Sequence, residues 1–492
     1  MPPRLDFDNS YLRLPERFSA RVAPAPFPEP RLVRLNTELA SSLKFDVDWL
    51  TSDEGLAFLS GQSILDGSEP AATAYAGHQF GNFVPQLGDG RAILLGELLD
   101  CEGRRFDIQL KGGGRTPFSR MGDGRAALGP VLREYIVSEF MAAAGVPTTR
   151  ALAALTTGEP VVREQVLPGA VLVRVASSHI RVGTFQYFAA RQDVESLQAL
   201  ADHVLWRHYP EATTAENVYR SLLDSIVAAQ ADLIARWLLI GFIHGVMNTD
   251  NMSVAGETID YGPCAFMDTY DPATVFSSID QFGRYAYGAQ PQIGLWNLTR
   301  LAETLLPLLS DNEGQAIAIA QEALDAFEPR FLEAYHAGMA RKLGLIEQRH
   351  EDASLANDFL AAMMENQVDF TLFFRNLSSA IQPGIGDEQV RSLFVDPTAA
   401  DTLLERWRAR LAEEPQDAIT RKAAMDASNP AYIPRNHRIE EVIRAAVDKA
   451  DFAPFHELMT LLSRPFELQP QYARYATPPL EHERVRATFC GT

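Results

Sequence analysis

Residues Gly241–Pro263 read GFIHGVMNTDNMSVAGETIDYGP. The stretch holds a His-Gly pair at 244–245, Val246, an Asp-Asn pair at 250–251, and Asp-Tyr-Gly at 260–262. A carboxylate and an amide oxygen are hard donors, suited to a divalent ion that bridges phosphates. Taken alone, Asp260-Tyr261-Gly262-Pro263 is a simple turn and Asn251 a helix cap. The His-Gly pair ahead of them, at fixed spacing, makes Asn251 and Asp260 candidate metal ligands.

That order of residues is the order found at the catalytic end of kinase-type phosphotransferases. There His-Arg-Asp is followed by a short spacer, an Asn, and later Asp-Phe-Gly. Val246 stands where the catalytic carboxylate belongs, so the usual base is replaced by a hydrocarbon. The nearest carboxylate able to accept a hydroxyl proton is Asp250. Its plainer roles are a helix cap or an outer contact to the ion. A retained metal pair beside a missing base points to nucleotide chemistry other than ordinary phosphorylation.

Working upstream, Lys111 ends the strand-like FDIQLK and is followed by Gly112, Gly113 and Gly114. A strand-end ammonium can reach phosphate oxygens while a helix glutamate holds it. Glu134, in the next helical segment, is its candidate partner; Glu139 lies about one and a half turns further on and faces elsewhere. A solvated helix charge is the commoner fate of a lone Glu. Arg174 and Arg181 flank the turn in RVASSHIRVG, and two guanidinium forks there can converge on one phosphate chain. Two surface arginines are the bland alternative. The string GDGRA occurs at Gly88–Ala92 and again at Gly122–Ala126. Each Gly-Asp-Gly turn is a candidate backbone cradle for anionic oxygens, with Arg91 beside the first.

Strand signals dominate residues 71–185: Arg91–Leu98, Phe106–Leu110 and Ala170–Val175. Pro130–Ala144 has helical spacing and opens on a proline. Beyond about residue 190, helical periodicity predicts Val194–Trp206, Val218–Ile240, Leu298–Leu309, Glu313–Leu343 as more than one helix, Ser354–Glu365, and further helix around Thr402–Asp426. The expected fold is α+β and protein-kinase-like. An extended arm over residues 1–60 precedes a strand-rich N-lobe at 61–188 and a larger helical C-lobe at 189–492, which carries the catalytic and metal loops and a C-terminal extension.

The whole chain bounds the function class. Its 492 residues can bury a large core, and 46% of them are hydrophobic. A formal net charge of −20 opposes general binding to nucleic acid or anionic membranes. The three cysteines, Cys101, Cys264 and Cys490, are far apart and show neither a disulfide framework nor zinc spacing. With no signal-peptide pattern at the N-terminus, a reduced bacterial cytoplasm is the expected setting. Inert thiols are the default; a regulatory Cys264–Cys490 pair is the alternative.

The longer strings resemble the selenoprotein O family, kinase-fold proteins that act as protein adenylyltransferases. They are YAGHQFGNFVPQLGDGRA from Tyr75, QLKGGGRTPFSRMGDGRAALGPVLREY from Gln109, HIRVGTFQYFA from His179, HGVMNTDNMS from His244, IDYGPCAFMD from Ile259 and NPAYIPRNHRIEE from Asn429. The resemblance implies an inverted nucleotide that presents its α-phosphate. AMP is then transferred to Ser, Thr or Tyr hydroxyls of proteins, with release of pyrophosphate. It implies ATP contacts from Gly88, Gly90, Arg91, Lys111, Asp123, Gly124, Arg174, Arg181 and Asp260, with Glu134 as the lysine's partner. It also implies Asp250 as proton acceptor and Asn251 and Asp260 as ligands of Mg²⁺, with Mn²⁺ as an alternative ion. Some members carry selenocysteine near the C-terminus, where this chain has Cys490. Two readings compete: a true kinase with Asp250 as a displaced base, and a non-catalytic ATP-binding pseudokinase.

Overall fold

The computed structural model describes residues 5–489. The architecture is α+β, an antiparallel sheet followed by a long series of helices. The strands are β1 (Ser19–Arg21), β2 (Arg31–Leu35), β3 (Ala71–Thr73), β4 (Gly77–Gln79), β5 (Asn82–Val84), β6 (Ala92–Leu99), β7 (Arg105–Lys111), β8 (Ala126–Ala127), β9 (Arg150–Val162) and β10 (Val166–Ala176). The main sheet runs β1-β3-β6-β7-β10-β9-β2, with β8 paired to β10; β4 and β5 form a separate hairpin.

Alternation along β7 explains how this sheet presents a site. Successive side chains point to opposite faces of a strand. Ile108 and Leu110 enter one apolar core with Leu95, Leu98, Val171, Val173 and Val175. Asp107, Gln109 and Lys111 therefore share the other face. The register sets Gln109 opposite Arg174 and Lys111 opposite Leu172.

The first core is closed by the N-terminal segment. Residues 1–60, expected as an extended arm, hold no regular element over 22–30 but supply β1, β2 and three short helices. These are Thr37–Ser42, Val47–Leu50 and Asp53–Leu59, capped by the side chains of Asn36, Asp46 and Ser52. Each cap satisfies a backbone N–H that the helix start leaves open. Leu39, Leu43, Phe45, Leu50 and Phe58 bury against the sheet.

The opposite face is covered by the helix Leu128–Ala143, close to the expected Pro130–Ala144. Its Val131, Leu132, Ile136 and Phe140 pack with Ala170 and Leu172. The long strand β9 was not anticipated, because RALAALTTGEPVV is rich in alanine, a helix former. Its Ala151, Ala153 and Ala154 are fully buried, divided between the two cores. Small side chains suit a strand enclosed on both faces.

Helices then occupy Val182–Ala189, Val194–His208, Val218–Leu239, Gln290–Leu309, Glu313–Asp325, Phe327–Lys342, His350–Glu365, Ala399–Leu411 and Ala418–Ser428, among others. The 313–343 run does break in two, at Ala326. No helix among the described residues is long and apolar enough to cross a membrane.

Asn436, in the string from Asn429, opens the helix Asn436–Lys449. Its side-chain amide donates to the Phe266 carbonyl at 2.8 Å and its oxygen accepts from the Phe266 N–H at 3.0 Å. Phe266 follows the Asp260 turn and pairs with Phe242. Arg435 is buried and ion-paired with Asp268 and Asp369. The C-terminal segment is thereby clamped onto the strand pair that carries the site.

Lys342 is buried with its ammonium 4.3 Å from the Phe374 ring centroid and 5.4 Å from that of Phe370. Burial pushes its pKa down to about 7. Between that value and its unfolded pKa, the unfolded chain binds more protons, so this group makes stability rise with pH through the window and level off below it. Lys342→Met should be more stable than wild type at pH 7, by about 2–4 kcal/mol after allowing for lost cation–π attraction. The gain should shrink toward pH 10. Urea denaturation at both pH values checks this, and a gain independent of pH would count against it.

Candidate active site

Lys111, Glu134, Arg174 and Asp260 converge at the open end of β7 and β10. Lys111 Nζ donates to Glu134 Oε2 and, at 2.9 Å, to Asp260 Oδ1. Arg174 Nη1 donates to Glu134 Oε1 at 3.2 Å, and its Nη2 donates to Gln109 Oε1 at 2.8 Å. Arg174 also lies 3.9 Å from Asp260. Glu134 is buried, so it is a paired helix charge and not a solvated one. Glu139, as expected, faces elsewhere and pairs with Arg150 at 2.7 Å.

Burial by itself pushes the Asp260 carboxyl up, but Lys111, Arg174 and Arg91 outweigh it and hold it well below the usual carboxylate range. Asp260 also has a φ of 69°, a left-handed conformation uncommon for residues with a side chain. His244 holds this turn from behind: its Nε2 donates to the Ile259 carbonyl at 2.9 Å.

A cavity of about 500 Å³ opens beside Asp260. Gly88, Gly90, Arg91, Asp123, Gly124, Asp250 and Asp260 are all on its wall, so both Gly-Asp-Gly turns face one space. One glycine in each turn is obligatory. Gly88 has φ 72° and faces Phe118, and Gly124 has φ 72° with its Cα against the Gly114 backbone, where a Cβ would sit 2.1 Å away. The second turn is also tied by Asp123, which pairs with Arg163 at 2.7 Å.

Lys111, Glu134, Arg174 and Arg181 stand behind this wall. Arg181 lies 4.4 Å from the ring centroid of Tyr75, which lines the cavity, and donates to the Asp250 carbonyl at 2.9 Å. The two arginines thus approach from different sides, Arg174 through the Glu134 cluster and Arg181 through the Asp250 loop.

Asp250 is buried, and burial pushes its carboxyl up to about 6. Its Oδ2 accepts from Gln79 Nε2 at 3.2 Å, while the buried Oδ1 has no hydrogen-bond partner. Val246 is buried, and its carbonyl accepts from Asn251 Nδ2 at 3.0 Å. That bond leaves the Asn251 amide oxygen free to serve as a donor to a cation. Arg174 Nε and Arg181 Nη2 are likewise buried without partners. Neither residue lines the cavity, whose own cationic lining includes Arg91. Among the described residues no group of three or more His, Cys, Asp or Glu could hold a metal. One carboxylate and one amide instead fit an ion such as Mg²⁺, which keeps waters and takes phosphate oxygens.

The sequence reading missed Gln79 and Tyr75. Both lie in the quoted string from Tyr75, yet nothing in their own residue types marks them. The β4–β5 hairpin brings in Gln79, for His78 N–H donates to Thr249 Oγ1 at 2.6 Å and Phe80 N–H to Asn248 Oδ1 at 3.0 Å, while Tyr75, just before it, accepts at its carbonyl from Leu87 and Gly88 N–H at 2.9 and 3.1 Å. Cys264 is fully buried and its thiol is pushed up to about 12, which suits an inert group. Cys490 lies outside the described residues. The tail before it passes close by, for Thr488 Oγ1 donates to the Pro263 carbonyl at 2.5 Å.

Comparison with known proteins identifies the family. A family described as protein adenylyltransferase SelO matches residues 3–463. The chain belongs to the SelO family. Among its relatives, "Protein nucleotidyltransferase YdiU" of Rhodopseudomonas palustris strain BisB5 is 65% identical over 492 residues, covering 100% of both chains. The protein of the same name from Methylorubrum populi is 65% identical over 493 residues, covering 99% of each. This SelO-family chain is therefore an enzyme, a protein nucleotidyltransferase of the adenylyltransferase class.

Removing one member of a buried ion pair strands the others and costs about 3–5 kcal/mol. Glu134→Ala should lose stability of that order in urea denaturation, and Glu134→Ala with Lys111→Met should lose less than the two changes summed. An unchanged denaturation midpoint in the single variant would remove Glu134 from the centre of the cluster.

Proposed function

We propose that this protein transfers AMP from ATP to Ser, Thr or Tyr hydroxyls of proteins, with release of pyrophosphate, in a bilobal kinase-like fold holding an inverted nucleotide. The observation that carries the reading is that Asp250 and Asp260 share one cavity with both Gly-Asp-Gly turns, while the position of the usual base, Val246, is a buried hydrocarbon.

The acceptor oxygen bonds to the α-phosphorus, and the bond from that phosphorus to the α–β bridging oxygen breaks. The hydroxyl proton passes to the unpartnered Oδ1 of Asp250, whose raised pKa suits it to hold a proton near neutrality. Pyrophosphate leaves with the bridging oxygen. Lys111, Arg174 and Arg181 bring cationic charge toward the triphosphate, and such preplaced charge is usually the largest catalytic contribution. A divalent ion held by Asn251 and Asp260 would neutralise phosphate charge. Glu134 acts through Lys111 and Arg174 by holding both in place.

ATP labelled at the α- or the γ-phosphate tests this reading. Label should reach protein from the α position only; transfer from γ alone would establish a kinase with Asp250 as base, and ATP binding without any transfer a non-catalytic module. Asp250→Asn should lower kcat at least 100-fold, an effect of the size general-base loss produces, with ATP affinity retained. Asp260→Ala should abolish transfer while the thermal midpoint shows the chain still folded. Wild-type turnover in Asp260→Ala would exclude it as the metal ligand.

A further inference from the structure

A second cavity, of about 520 Å³, lies beside the catalytic loop, lined by Phe80, Phe282, Arg284, Ile293 and Trp296 among others. The β4–β5 hairpin is the partition between the two cavities. Gln79 lines the first and holds Asp250, whereas the next residue, Phe80, lines the second. The positive φ of Phe80, 51°, turns the backbone at this point. The far wall is tied to the same loop, since Tyr285 Oη donates at 2.6 Å to Asn248 Oδ1, the oxygen that also accepts from Phe80 N–H.

Two apolar side chains stand out on its wall. Phe282 is 96% exposed and Ile279 54% exposed. The loop that presents them is shaped rather than loose, because Asp280 accepts from the N–H groups of Arg284 and Tyr285 at 2.9 and 2.7 Å. Asp280 is itself on the wall of this groove, with each carboxylate oxygen engaged by a backbone N–H. Arg284 lies 4.7 Å from the Trp296 ring centroid, has a buried Nε without a partner, and makes no ion pair with a carboxylate among the described residues. Without a direct ion pair, in a chain of net charge −20, this guanidinium is available to an acidic group from a partner.

We infer that this groove seats the segment of the acceptor protein that bears the hydroxyl, with an acidic side chain on Arg284 and an apolar one between Phe282 and Trp296. The inference rests on the reading that the acceptor is a protein hydroxyl. A hydroxyl presented past the hairpin from this side meets Asp250 and the α-phosphate together, which explains why docking and chemistry share Asn248. An acceptor with basic flanks is disfavoured by Arg284, so the groove selects by charge as well as by apolar contact.

The test uses the full-length chain and two fluorescein-labelled peptides. They have one sequence around a single Ser and an adjacent Leu, flanked by Glu in one and by Lys in the other. Anisotropy is read without ATP, so binding is measured apart from transfer. Wild type should bind the Glu peptide at least tenfold more tightly than the Lys peptide. Arg284→Glu should reverse the preference, Arg284→Gln should abolish it while keeping the packing on Trp296, and Phe282→Ser should weaken both peptides. ATP affinity should be unchanged in all three. Equal binding of the two peptides by wild type, or a preference that survives Arg284→Gln, overturns the inference. So does a concentration-dependent dimer in sedimentation that Phe282→Ser dissolves, which would make a second copy the occupant. AMP transfer that ignores the flanks sinks the groove alone. A charge preference without any transfer sinks the proposed activity and leaves the groove standing.

Discussion

The buried carboxylate of Glu134 has to be answered by positive charge, and much of the molecule is arranged around that need. An unpaired ion in a protein interior is costly by several kcal/mol. Lys111 from β7 and Arg174 from β10 both reach it, and both also approach Asp260. Two cations and two carboxylates close on one another, so the cluster is near neutral as a unit. It fixes a helix, two adjacent strands and the turn at 259–262 relative to each other in one stroke. Three structural layers thereby agree on where Asp260 points before any ligand arrives, and preorganisation of this kind lowers the reorganisation a charged transition state demands.

Two further contacts make that arrangement durable. From the front, the β4–β5 hairpin donates backbone N–H groups to Thr249 and Asn248 and a side-chain amide to Asp250. From behind, Asn436 brackets Phe266, and Arg435 pairs with Asp268 and Asp369. The segment from Gly241 to Asp268 is thus held by chain that lies far before it and far after it.

Much of this was legible in residue order. The alternation of FDIQLK places Lys111 on the face away from the apolar core, and the helical spacing after Pro130 carries Glu134. The repeated GDGRA marks two turns that do meet at one cavity. Other parts were not legible. Alanine-rich β9 has the local preference of a helix and becomes a strand because partners lie on both of its edges and both of its faces. Residues 1–60 have the composition of an arm, yet Asn36, Asp46 and Ser52 start helices whose leucines complete a core they cannot form alone. The convergence expected of Arg174 and Arg181 takes the form of two approaches, since β10 ends between them and the helix Val182–Ala189 redirects the chain.

What the sequence by itself determined is the chemistry available: the Asn251 and Asp260 oxygens, the Lys111 and Glu134 charges, the hydrocarbon side chain of Val246, and membership of a family through long shared strings. These are properties of residue type and local spacing, and they survive without coordinates. Only the tertiary structure decided which groups act on each other. Gln79 reaches Asp250, Arg181 lies over Tyr75, and Arg284 stacks on Trp296 without an ion pair among the described residues. Those relations depend on strand register, on the hairpin's attachment and on burial. Burial raises the pKa of Asp250 toward neutrality, while Lys111, Arg174 and Arg91 hold that of Asp260 low. Two aspartates of the same type thus differ because dielectric and neighbouring charge are set by the fold and not by the residue.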